Sequence, residues 1–180
     1  GYYTWISNVN YILAEEETMS GSETEKNYVL GQAYAVRAYS YFMLAQMFSR
    51  TYKGHESEPC VPLYTEPTDI ATEGKGRATV EEVYQQITSD LDKAITMLGN
   101  SGKRKHISHI NEAVASGIKA RVALVMEDWQ TALDAANAAI SKSGCSIGTG
   151  TAVTGGMNDA TANNVMWAAE IIADQSGMYA

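Results

Sequence analysis

Apolar residues recur at three- and four-residue steps along most of this chain, which predicts helices rather than strands. Tyr2, Ile6, Val9 and Leu13 form one stripe with Trp5 and Ile12 beside it, predicting a first helix over residues 2–18. Glu15, Glu16 and Glu17 crowd its far end, where negative charge opposes the helix dipole, so they read as a solvated terminus. A second helix, over residues 24–49, is apolar on nearly every face and must be surrounded by other elements. Its Ala33, Ala35, Ala38 and Ala45 permit close helix approach, while Tyr34, Tyr41 and Phe48 make a seven-residue stripe of bulk. Arg37 lies inside this belt. Its side chain either snorkels outward or pairs with a buried carboxylate, and a structural role is the better reading than ligand contact.

Residues 51–78 are too long for a helix–helix turn, and Pro59, Pro62 and Pro67 predict an extended inserted loop. Its tail, Gly74-Lys75-Gly76-Arg77, reads as flexible and basic; it lacks the spacing of a phosphate-binding loop. Thr79 and Glu82 then form a capping box, each satisfying a backbone N–H that the helix start leaves unpaired. Val80, Val83, Tyr84, Ile87, Leu91, Ala94, Ile95 and Leu98 give the third helix one apolar stripe, with Asp90, Asp92 and Lys93 placed off it and Gly99 at its end. Residues 108–143 read as a helical hairpin. Ala120, Trp129, Ala132 and Ala139 have the spacing of a tetratricopeptide repeat, with Glu127-Asp128 at the turn and Trp129 expected to wedge between the helices. One such unit cannot bury its own apolar face and must stack on neighbours, of which the helices flanking the inserted loop are the nearest. Residues 148–156 are glycine-rich but lack a dinucleotide fingerprint, 165–172 read as a short strand or extended segment, and a turn is expected near Gln175.

At 180 residues the chain is a single domain by length, able to bury about 70% of its unfolded surface. A net charge of -8 argues against a nucleic-acid partner, since binding polyphosphate needs a basic face. Eleven Tyr and three Trp stand against two Phe, a bias toward rings with polar tips that suits both helix packing and stacking on sugars. Packing is the expected role of most, including Trp5, Trp129 and Trp167. Cys60 and Cys145 read as free thiols, although one disulfide is open to them. His106 and His109 lack an acidic or Cys partner at ligand spacing and sit beside Lys103-Arg104-Lys105, so no metal site is expected. His55 has no recognisable partner, and no nucleophile elbow or H-E-x-x-H occurs. Catalytic, cofactor-binding and metal-binding residues are therefore expected to be none, and no ligand-binding residue is assigned.

Three stretches carry a resemblance. Residues 2–13 (Y-Y-T-W-I-S-N-V-N-Y-I-L), 31–42 (G-Q-A-Y-A-V-R-A-Y-S-Y-F) and 61–68 (V-P-L-Y-T-E-P-T) resemble, in order and wording, motifs of the SusD/RagB family of nutrient-binding outer-membrane lipoproteins of Bacteroidetes. Asn10 stands where the family's early helix usually carries Asn, and Gln32 stands where Glu is usual. The loop from Thr51 to Glu58 is longer than usual. The resemblance implies a mostly α fold of tetratricopeptide-like helical hairpins with long loop insertions. It further implies one partial SusD-like domain over residues 1–180, lacking the N-terminus with its lipid-carrying cysteine and the C-terminal half. On that reading residues 145–180 begin a loop-rich ligand-binding region. The implied function is capture of an oligosaccharide, without catalysis or cofactor, by a surface-exposed outer-membrane lipoprotein that delivers it to a TonB-dependent SusC-like transporter. On its own, this stretch is expected to bind sugar weakly or not at all. The alternative is a tetratricopeptide-type scaffold for protein partners.

Overall fold

The computed structural model describes residues 1–148, 150, 154–156 and 159–169. Among these the chain forms α1 (Tyr2–Ala14), α2 (Glu23–Phe48), β1 (Pro59–Pro62), β2 (Arg77–Thr79), α3 (Val80–Gly99), α4 (Glu112–Met126) and α5 (Trp129–Ser143). The fold is mostly helical. Each helix packs on the next: α1 on α2, α2 on α3, α3 on α4, and α4 on α5.

α2 is the axis of the molecule. Ala35, Ala38, Tyr41, Phe42 and Ala45 are all buried, as an all-apolar helix requires. Ser22 caps it: its Oγ accepts from Glu25 N–H at 3.3 Å while the Glu25 carboxylate accepts from Ser22 N–H at 3.2 Å. Gly31 brings α2 against the end of α3, where a Cβ would meet Leu98 Cγ at 2.7 Å and Met97 Cβ at 3.2 Å. α1 stops at Ala14, four residues short of the expected end. Glu15 to Thr18 turn instead, with Met19 N–H donating to Glu15 O at 2.8 Å. Three carboxylates at a C-terminus destabilise the helix dipole, and Glu16 gains a better partner in the Tyr34 hydroxyl, 2.6 Å away.

The inserted loop is less open than the prolines suggest. β1 and β2 pair antiparallel, Pro59 opposite Thr79 and Pro62 opposite Arg77, with an irregular register between. Arg77, expected in a flexible tail, staples the base of the loop by donating to Cys60 O at 2.6 Å, Pro59 O at 2.9 Å and Phe48 O at 3.0 Å. The pair ends at Thr79, which opens α3 with both halves of the capping box formed. The α3 stripe is buried as read, with Ile95 at its margin. Asp90 is a correction: it is buried too. Position 90 falls three residues after Ile87 and four before Ala94, so helical geometry puts it on the stripe.

α4 and α5 form the tight hairpin, with Ala120, Ala132, Ala135 and Ala139 buried. Glu127 takes the left-handed conformation (φ 61°) at the turn, and Asp128 caps α5 by accepting from Thr131 N–H at 3.1 Å. Trp129 does not wedge between the helices. As the first residue of α5 it points outward and is 63% exposed. Cys60 and Cys145 are both free thiols. Residues 165–169 form no strand, and residues 170–180, which include the expected turn near Gln175, lie outside the described residues.

Replacing Thr79 by Ala removes the α3 cap and is expected to lower unfolding free energy by about 1 kcal/mol in urea denaturation. An unchanged midpoint would mean that β2, not the cap, fixes the start of α3.

Candidate functional site

The site is built on a buried ion pair. Arg37 of α2 donates from Nε to Asp90 Oδ2 at 2.7 Å and from Nη2 to Asp90 Oδ1 at 2.8 Å, a two-pronged contact between α2 and α3. Gln86 Nε2 completes Asp90, donating to Oδ1 at 2.9 Å. The remaining arm, Nη1, donates to Asn10 Oδ1 of α1 at 2.9 Å and to Thr65 O of the loop at 3.1 Å. Burial alone would lower the Arg37 pKa, but the Asp90 carboxylate outweighs it and the net shift is upward. Of the two options open to Arg37, the buried carboxylate is the one taken.

Around this pair the helices hold the extended segment that follows β1, Leu63 to Thr68, which has no strand beside it. Its backbone groups are satisfied by side chains instead. Asn10 Nδ2 donates to Tyr64 O and Glu66 O, both at 3.0 Å. Tyr41 Oη donates to Tyr64 O at 2.8 Å and accepts from Tyr64 N–H at 2.7 Å. The hydroxyls of Tyr3 and Tyr11 donate to Pro62 O and Thr68 O, each at 2.8 Å. Burial pushes the Tyr41 phenol pKa upward and the Tyr3 phenol to about 12, so both remain proton donors at neutral pH.

Where α1 and this segment diverge, a groove of about 300 Å³ opens, lined by Tyr3, Ile6, Ser7, Asn10, Tyr64, Thr68, Asp69 and Thr72. The Tyr3 and Tyr64 rings stand at 84° with centroids 6.3 Å apart, and Lys75 Nζ lies 5.5 Å from the Tyr64 ring centre. Asp69 accepts from the Thr72 hydroxyl at 3.0 Å and from Ala71 N–H at 2.9 Å, and these bonds hold its carboxyl below the usual range. The groove thus offers aromatic edges, hydroxyls and one fixed carboxylate on a hydrogen-bonded floor. That is equipment for reading a polyhydroxylated ligand.

Sequence reasoning named no ligand residue, and the groove shows why. Its residues come from a helix face read as packing and from a loop whose path depends on contacts with helices far away in sequence. The tyrosines otherwise follow the packing expectation: Tyr28, Tyr34, Tyr41 and Tyr84 are buried. The tryptophans depart from it, with Trp5 50% and Trp167 39% exposed. His106 and His109 lie ring to ring at 5.9 Å, and His109 Nδ1 shares a hydrogen bond with the Tyr28 hydroxyl at 2.5 Å. Among the described residues no group of three or more His, Cys, Asp or Glu is placed to hold a metal. Among the described residues no helix is long and apolar enough to cross a membrane.

The architecture and its motifs match a known family. A family model, SusD-like, described as starch-binding and associating with the outer membrane, matches residues 1–124. The chain belongs to the SusD-like family. Among solved structures, a SusD-like carbohydrate-binding protein of Bacteroides vulgatus aligns with a TM-score of 0.89 at 28% identity, covering 97% of this chain and 37% of that one. A SusD superfamily protein of Bacteroides thetaiotaomicron aligns with a TM-score of 0.74 at 27% identity, over 82% of this chain and 33% of that one. NanU of B. fragilis aligns with a TM-score of 0.64 at 28% identity, over 81% and 29%. The chain therefore spans about a third of the length of the solved structures it resembles. No curated protein matches it.

Replacing Asp90 by Ala strands the Arg37 charge in the interior and is expected to cost about 3–5 kcal/mol by denaturant unfolding. A loss below about 1 kcal/mol would mean that water reaches the guanidinium.

Proposed function

We propose that the protein containing this chain captures an oligosaccharide at the outer face of the outer membrane and releases it unaltered. The observation that carries this reading is the family match across residues 1–124, whose description is of starch binding and outer-membrane association. The groove between α1 and the Pro62–Thr68 segment supplies suitable chemistry. Its tyrosine rings suit the apolar faces of sugars, while Ser7, Thr68, Asp69 and Thr72 suit hydroxyls. At about 300 Å³ it lies at the small end of ligand sites, fitting one end or a short segment of a glycan. Affinity through it should be modest, because sugar hydroxyls exchange water hydrogen bonds for protein ones at little net gain.

In this proposal the protein is held at the membrane by an N-terminal lipid and hands its cargo to a TonB-dependent SusC-like transporter, and residues 145–180 begin a loop-rich ligand-binding region. A second reading, a scaffold for protein partners, is favoured by one observation: Leu124 and, along α5, Trp129, Leu133 and Ile140 expose a stripe of large apolar side chains.

Glycan-array and calorimetric screening of the full-length protein, with chromatography of the sugar after incubation, decides between these readings. A glycan hit without new reducing ends is expected. Tyr64→Ala should then weaken binding about tenfold, equivalent to about 1.4 kcal/mol, with the helical circular dichroism retained. Cleavage of the sugar would make the protein an enzyme, and a tight peptide hit with no glycan would favour the scaffold.

A further inference from the structure

A second cleft, of about 500 Å³, lies between α4 and a wall made by Gly156, Asp159, Ala162 and residues 164–167. Its floor includes Gly117, in the middle of α4. Glycine in a helix interior costs about 1 kcal/mol relative to alanine, so it calls for a reason. Neither backbone nor packing supplies one. Gly117 is not in a positive-φ conformation, and a Cβ built there would meet only Ala139 Cβ at 3.8 Å and Met166 Sδ at 3.9 Å, which are ordinary contacts. What the glycine does is leave the helix backbone bare beneath the cleft, where a ligand can approach closely.

The opposite wall is held in place. Trp167 Nε1 donates to Ser108 O at 2.8 Å, and its ring stands edge-on to Tyr39 at 5.7 Å. Arg104 Nη1 donates to Met166 O at 2.8 Å, and Ser146 N–H donates to Asn163 O at 2.9 Å. Trp167 nevertheless keeps 39% of its surface exposed and lines the cleft. Polar groups flank it. Arg121 lies one helical turn after Gly117 with its guanidinium 5.8 Å from the Phe42 ring centre. Asp159 is fixed by Thr161, whose N–H and hydroxyl donate to Oδ1 at 2.8 and 2.7 Å. Asn164 tucks over Gly148, where a Cβ would sit 2.8 Å from its Nδ2.

We infer that this cleft is a second carbohydrate subsite for a neutral pyranose, with its apolar face on Trp167 and its hydroxyls on Arg121, Asp159 and Asn164. An anchored indole beside a donor, a fixed acceptor and an amide matches a ring whose faces are apolar and whose rim is hydroxylated. Arg121 and Asp159 offset each other in charge, which suits a neutral ring. The inference rests on the glycan-binding reading above but concerns a separate place, about which the family description is silent.

The test uses the indole N–H signals of the three tryptophans in heteronuclear NMR of the 180-residue chain, titrated with maltoheptaose and, in parallel, with laminarihexaose. The subsite predicts a saturable shift of the Trp167 signal with at least one of them, while the Trp129 signal stays still. Gly117→Leu, which suits the helix but fills the cleft, should weaken that response at least tenfold. A Trp167 response that Gly117→Leu leaves intact overturns the subsite, as does a shift confined to Trp5 of α1; in both cases glycan binding itself stands. No shift with either sugar overturns the subsite, and the array on the full-length protein then reports separately on glycan binding.

Discussion

One buried guanidinium–carboxylate contact organises this structure. Arg37 and Asp90 join the two most closely packed helices of the core, and the arm that Arg37 has left over reaches both α1 and the inserted loop. A buried ion pair gains little over an apolar pair in stability alone, because both charges lose their hydration. What it supplies here is direction. The planar fork of arginine fixes four elements in one relative orientation, which a lysine ammonium with its rotating point charge would not do.

The groove follows from that junction. Beyond Pro62 the segment leaves the short β1–β2 pair, so its carbonyls need donors from elsewhere. Asn10, Arg37, Tyr3, Tyr11 and Tyr41 provide them, and each is committed by its position on a helix whose other face is buried. The loop is therefore tied to the helices under it by side-chain hydrogen bonds, although it has no strand partner of its own over Leu63–Thr68. This is how a binding surface can be preorganised on irregular backbone. The bias toward tyrosine over phenylalanine finds its reason here: Tyr3, Tyr11 and Tyr41 fill space with a ring and use the hydroxyl to hold the loop.

Much of the fold was legible in the sequence. Helical periodicity placed all five helices, the Thr79–Glu82 box located the start of α3 to the residue, and alanine spacing marked the α4–α5 crossing. The three family-like stretches turn out to meet at one place, since Asn10, Arg37 and Tyr64 to Glu66 are mutual partners. Other features were hidden for physical reasons. Asp90 looked solvent-facing because a carboxylate is seldom buried unless paired, and its partner lies 53 residues away. The β1–β2 pair has four residues on one side and three on the other with an irregular register, too little for alternation to show. The Ser22–Glu25 box was present in the letters S-E-T-E and could have been read by the same rule that found Thr79. Trp129 illustrates a different gap: spacing says that an aromatic occurs at a turn, but not which way the turn aims it.

Amide exchange at Tyr64 tests the central role of Arg37 most directly, because that N–H donates to Tyr41 Oη at the heart of the junction. In Arg37→Lys, which keeps the charge and loses the fork, Tyr64 should exchange at least tenfold faster. The Ala132 amide, bonded to Asp128 O in α5, should keep its protection under the same native conditions. Equal acceleration at both sites would show only a global loss of stability, and unchanged exchange at Tyr64 would contradict the claim that Arg37 holds the loop to the helices.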